Sequence, residues 1–140
     1  MVNKETVIRK LNKLKGYLQE LSMYEDVSWE DYSTTFQHRR TVERLIQLIV
    51  DVAVDINTHT VVDEGHRPSK DAFNSFFDAA KLGMFPEAFA QRVAPSTGER
   101  NIIVHEYEQI DDAVVFLSIK DALTLYKEYI NFVLDFLEKN

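Results

Sequence analysis

Val7, Leu11, Leu14, Leu18 and Leu21 recur in steps of four and three, and near the other end of the chain so do Phe116, Ile119, Leu123, Tyr126, Ile130, Val133 and Leu137. On a helix of about 3.6 residues per turn each set makes one apolar stripe, whereas on a strand it would scatter over both faces. Two long amphipathic helices are expected, one over about residues 4–24 and one from an Asp111 cap towards residue 140. Each must bury its stripe against something equally apolar. The stretch "RRTVERLIQLIVDVAVDINTH", residues 39–59, is almost wholly aliphatic between Leu45 and Ile56 and suits a central helix buried on most of its circumference. No segment has the sustained two-residue alternation of a half-buried strand, and no repeat or low-complexity tract occurs. The fold expected is all-α, an antiparallel helical bundle of about five helices, in a single domain over residues 1–140.

Local signals place the intervening breaks. Ser28 in "SWED", with Asp31 three positions on, predicts a helix start that leads in one run to about Thr60. "DEGHRPS" then breaks the chain. Ser69 is the expected cap of a short helix that stops at Gly83, Pro86 opens another, and Pro95 interrupts or kinks it. "STGE" at 96–99 has the capping-box form, Ser96 as cap and Glu99 at the third helical position, so a new helix is expected from there.

Composition removes several chemistries. The chain has no cysteine, so thiolate nucleophiles, thiolate metal sites and disulfides are excluded. Its four glycines make neither a P-loop nor a dinucleotide fingerprint. His38, His59, His66 and His105 lack the spacing of a metal site. Neither a signal-peptide core nor an uninterrupted apolar span of membrane length is seen, which makes a cytoplasmic protein with no membrane association the expectation. The formal charge is −7, but it is unevenly spread: residues 1–16 carry five cations against Glu5 alone, +4, which leaves −11 for the remainder. A basic end sits on an acidic body.

Two polar patterns interrupt the apolar helices. In the central helix Arg39, Glu43, Gln47, Asp51, Asp55 and His59 follow one another at intervals of four. Such a row drifts about 40° per step, so Gln47, Asp51 and Asp55 share a face while the ends do not. The second pattern is "RNIIVHEY", residues 100–107. With Arg100 at zero on an ideal helix, Tyr107 falls near about 340°, Asn101 near 100° and His105 near 140°, one broad arc, while Ile102 and Ile103 anchor the other side. Asn101 and His105, four apart, come within reach of each other. Those groups suit phosphodiester chemistry without a metal: His105 as general acid or base, Arg100 as stabiliser of the charged phosphorane, Asn101 as orienter. RNA is the natural substrate, because its 2′-hydroxyl is an internal nucleophile. Asp51 and Asp55 are placed to support the site by orienting Arg100.

"RNIIVHEY" also resembles the R-x4-H-x-Y motif of the HepT-like ribonuclease toxins of the HEPN superfamily. The resemblance extends to "RRTVERLIQLIVDVAVDINTHTVVDEGHRP" and "GMFPEAFAQRV", and covers about residues 4–138. It implies the toxin of a type II toxin-antitoxin system: a metal-independent ribonuclease acting on tRNA or mRNA, needing no cofactor, and dimeric, with paired motifs facing across a two-fold cleft. Arg100 and His105 carry over as catalytic, with Asn101 supporting. The resemblance further implies an MNT-type nucleotidyltransferase antitoxin that uses ATP to attach AMP to the motif tyrosine, here Tyr107. Two other classes compete: a non-catalytic HEPN-type module that binds nucleotide or assists a partner nucleotidyltransferase, and a bundle acting only through its faces. A pure binding module has no need of both Arg100 and His105.

Overall fold

A computed structural model describes residues 1–140, with seven α-helices and no strand. They are α1 (Lys4–Ser22), α2 (Trp29–Thr34), α3 (Phe36–Asp63), α4 (Ala72–Lys81), α5 (Glu87–Val93), α6 (Ser96–His105) and α7 (Asp112–Lys139), with a 3₁₀ turn over Tyr107–Gln109 between the last two. The chain is an all-α bundle built around α3. The Met1 ammonium donates to the Asp63 carbonyl and Lys10 pairs with Asp55, so α1 runs antiparallel to α3. Helix α7 begins beside the start of α3, where Arg39 lies 3.6 Å from Asp112, and further on the Tyr129 hydroxyl donates to the Ala53 carbonyl. It therefore follows α3 and runs against α1.

Both apolar stripes do what their spacing requires. Every member of the first is buried, as is every member of the second except the half-exposed Phe116. Helix α3 is long and apolar enough to cross a membrane by length and composition, yet half of its most apolar stretch is buried inside the bundle. Its inner face is core. Its outer face keeps Leu48, Val52 and Val54 half-covered and carries the charges of the polar row.

The structure departs from the expected breaks at three places. The run from Ser28 to Thr60 is two helices: Ser28 caps α2 by accepting from the Asp31 amide, but Thr35 is extended (φ −110°, ψ 99°) and α3 starts after it. Ser33 and Thr34 turn their hydroxyls onto the Glu30 carbonyl, and such back-bonding by a run of small hydroxyl residues competes with helix propagation. The cap of α4 is Asp71, which accepts from the Asn74 amide at 2.7 Å, in place of Ser69. Ser96 is not a cap either. Ala94 and Pro95 keep right-handed helical angles, so α5 passes into α6 through a turn with no extended cap residue; the Ser96 hydroxyl donates back to the Val93 carbonyl. Gly83 does end α4 as expected, at φ +91°, with the Met84 amide reaching back to the Ala79 carbonyl.

Candidate active site

Helix α6 is short, and Thr97 and Ile103 are its buried residues, packing it onto the bundle. The opposite side faces water. Arg100, three residues from both Thr97 and Ile103, lies between the two at the edge of the packed face and reaches α3, where its Nε donates to Asp51 Oδ1 at 2.6 Å, while its Nη1 donates to Asn101 Oδ1 at 3.2 Å. The Arg100 side chain is one-quarter exposed, and its guanidinium is held on two sides. An arginine tied this way keeps donors for an incoming phosphate in a fixed fork. His105 is the last residue of α6 and exposed. Glu106 leaves the helix (φ −128°, ψ 46°) and Tyr107 opens the 3₁₀ turn.

That helix end corrects the expected position of Tyr107. The arc drawn on one continuous helix holds for Arg100, Asn101 and His105, but Tyr107 lies beyond the last helical residue and takes its place from the turn. Its ring is half-exposed, and the Arg40 guanidinium of α3 lies over it, 5.0 Å from the centroid. Arg40 is fixed from behind by Glu43, whose buried carboxylate accepts from Nη1 at 2.9 and 3.2 Å. Burial pushes the Glu43 carboxyl up from its ordinary range, with Arg40 opposing. Arg40 carried no sequence signal of its own, because its ring contact depends on the break after His105. Ile102, expected to anchor α6, is instead exposed, and Ile103 alone does so.

The row of polar residues on α3 does not act as one line. Arg39 reaches Asp112 of α7 and the Ser33 carbonyl, Gln47 accepts from Arg44, Asp51 holds Arg100, and His59 lies 3.5 Å from Asp63. Asp55, expected to join Asp51 in orienting Arg100, pairs with Lys10 of α1. The drift of about 40° per step is the reason, since it turns successive residues from α6 towards α1.

Glu99, next to Arg100 but on the flank of α6 that faces Ser118 and Asp121 of α7, keeps one carboxylate oxygen out of water with no hydrogen-bond partner. Burial raises its pKa, with the Ser118 hydroxyl opposing and Asp121 adding to the rise. A carboxyl whose folded pKa lies above its unfolded one binds more protons folded than unfolded, so stability falls as pH rises from about 4 through the folded value. Glu99→Gln is expected to flatten that loss and to melt roughly 2–4 °C higher at neutral pH. Thermal melts of both proteins across the acid-to-neutral range check it; an equal or lower melting point at neutral pH contradicts it.

The fold is thus an all-α bundle that sets a tethered arginine five residues before an exposed histidine on one short helix. The chain belongs to the HepT-like ribonuclease family, whose model ("Ribonuclease HepT-like") matches residues 8–133. Over 139 residues it is 36% identical to the tRNA nuclease HepT of Aphanizomenon flos-aquae, covering 98% of this chain and 95% of that one. A putative RNase of Archaeoglobus fulgidus is 31% identical over 90 residues, 64% of this chain and 67% of that protein. Among solved structures, the tri-AMPylated HEPN toxin of Shewanella oneidensis, in complex with its MNT antitoxin, superposes with a TM-score of 0.83 at 17% identity, over 92% of this chain and 96% of the other. At that identity the likeness is one of fold.

Proposed function

We propose that this protein is a metal-independent ribonuclease, the toxin of a type II pair, with Arg100 and His105 as its catalytic residues and Asn101 in support. The observation that carries the reading is the tether: Asp51 fixes Arg100 at 2.6 Å while His105 stays open to solvent on the same helix. In the reaction the 2′-oxygen bonds to phosphorus and the bond from phosphorus to the 5′-oxygen breaks, leaving a 2′,3′-cyclic phosphate and a 5′-hydroxyl. One proton leaves the nucleophile and one reaches the leaving group. His105 carries out one transfer and its copy in a second subunit the other, while Arg100 neutralises charge growing on the non-bridging oxygens. Substrate RNA, tRNA above all, is suggested by the 36% identical tRNA nuclease. A homodimer is favoured because Ile102, Val104, Val114 and Leu117, in the motif segment and the first turns of α7, all leave apolar surface in water. Purified protein is expected to scatter light as a dimer and to cut RNA in EDTA. Cleavage that stops with chelator and returns with a divalent ion, or full activity in a monomer, would overturn the corresponding half of the reading.

Asp51 is the positioning residue in this scheme. Asp51→Asn keeps the shape but weakens a charge-assisted bond, so turnover on RNA is expected to fall about tenfold with the melting point little changed. An unchanged turnover number would return Asp51 to a purely structural role.

Regulation by an MNT-type nucleotidyltransferase through AMP transfer to Tyr107 completes the proposal. Its support is the half-exposed ring two residues past His105 and the AMPylated state of the Shewanella toxin. The phenolic oxygen attacks the α-phosphate of ATP, pyrophosphate leaves, and the phenolic proton passes to a base of the partner or to water. A phosphodiester anion and a nucleoside then stand beside the path of the RNA phosphate, opposing it by charge and bulk.

A further inference from the structure

Two carboxylates of α3, one helical turn apart on its outer face, each hold a cation from a neighbouring helix. Asp51 holds Arg100 of α6 and Asp55 holds Lys10 of α1. Positions four apart on a helix lie about 6 Å apart along the axis, close to the step between neighbouring phosphates of an extended single strand. The Lys10 side chain is only 22% exposed, so its stem is packed and its ammonium fixed, unlike the waving lysine of a solvated face. Because α1 runs antiparallel to α3, moving one turn on from Lys10 moves one turn back along α3. Exposed Lys13 is thereby brought level with Asp51, across the outer face of α3 from Arg100. Arg9, four residues before Lys13, shares its exposed face of α1. On a protein whose net charge is −7, the four cations of this strip outnumber its two carboxylates.

We propose that the Lys10, Lys13 and Arg9 flank of α1 is an RNA-docking surface that grips the strand beside the scissile phosphate, Lys10 taking the adjacent phosphate. The proposal rests on the ribonuclease reading and adds to it a direction: the strand crosses the outer face of α3 from α6 towards α1. Lys10 and Arg100 are both held by carboxylates of one helix, so their relative placement is fixed by α3.

The test uses the full chain. Binding of fluorescein-labelled tRNA to the His105→Ala protein is followed by anisotropy from roughly 50 to 200 mM salt, for that parent and with Lys10→Gln, Lys13→Gln and Arg9→Gln added singly and together. The triple change is expected to weaken binding at least tenfold at low salt and to lower the salt slope by about one per cation removed. Lys81→Gln on α4, 80% exposed, controls for bulk charge and is expected to do neither. In the enzyme with His105 intact the same triple change is expected to raise KM for tRNA while leaving kcat in place, and the single change Lys10→Arg to keep the parent's KM where Lys10→Gln raises it. Parent-like affinity, slope and KM in a protein that still cuts RNA would overturn the docking surface and leave the ribonuclease standing. Parent-like RNA binding combined with lost binding of a nucleotidyltransferase partner would reassign α1 to protein recognition and overturn it equally. Failure of the unaltered protein to bind or cut RNA would remove both readings together.

Discussion

Replacement of His105 by alanine is expected to lower RNA cleavage by about 10²–10⁴-fold, the usual contribution of a positioned acid or base. The melting temperature should not move, because the side chain is exposed at the end of α6. That separation makes the test a clean one. Arg100→Ala is less so: it also strands the Asp51 carboxylate, so part of its loss would come from an unpaired charge on α3. Single-turnover cleavage of labelled tRNA in EDTA, with the toxicity of each variant in growing cells alongside, gives the readout. Full cleavage by the His105→Ala protein would remove the histidine from the mechanism and leave the arginine as a binding group only.

Tyr107→Phe is expected to abolish neutralisation while sparing cleavage. The variant keeps the ring that Arg40 covers at 5.0 Å but lacks the oxygen that would accept AMP. Because Tyr107 stands on its own turn past the end of α6, losing its hydroxyl should leave the Arg100–Asp51 tether and the exposure of His105 as they are. Intact-mass measurement after incubation with an MNT-type partner and ATP should find adenylyl additions on the unaltered protein and none on the variant. Equal additions to both, with equal silencing, would place the acceptor on another residue.

The helices that bury stripes were legible in the sequence because a period of three and four is enforced by the core: all five members of the first stripe are buried, and Asp111 caps α7 as its position suggests. The breaks were harder, since they turn on competition between neighbouring hydroxyl groups. Ser96 has the capping pattern, yet its hydroxyl is taken by the Val93 carbonyl and lies 2.6 Å from that of Tyr126, a residue thirty positions away. Arg100, Asn101 and His105 could be placed together because they lie within two turns of one helix. Which of Asp51 and Asp55 meets Arg100 could not, because that depends on how α1 and α6 are arranged about α3. The buried chain of bonds from Tyr129 to Asn57 and on to Ser75, which ties α7 to α3 and α4, left no local trace for the same reason.

Arg100 meets Asp51 across 49 residues of chain, and Lys10 meets Asp55 across 45. Neither pairing can form until distant segments have been made and docked. On the function proposed above, an enzyme that attacks RNA is translated from one kind of RNA with the help of another. With its arginine fixed only when α6 settles on α3, the growing chain reaches the ribosome exit without a finished cutting edge, and a prematurely ended polypeptide that stops before residue 100 carries none at all. Topology here ties the proposed activity to the docking of α6 on α3, the same step that sets the proposed acceptor, Tyr107, on its turn.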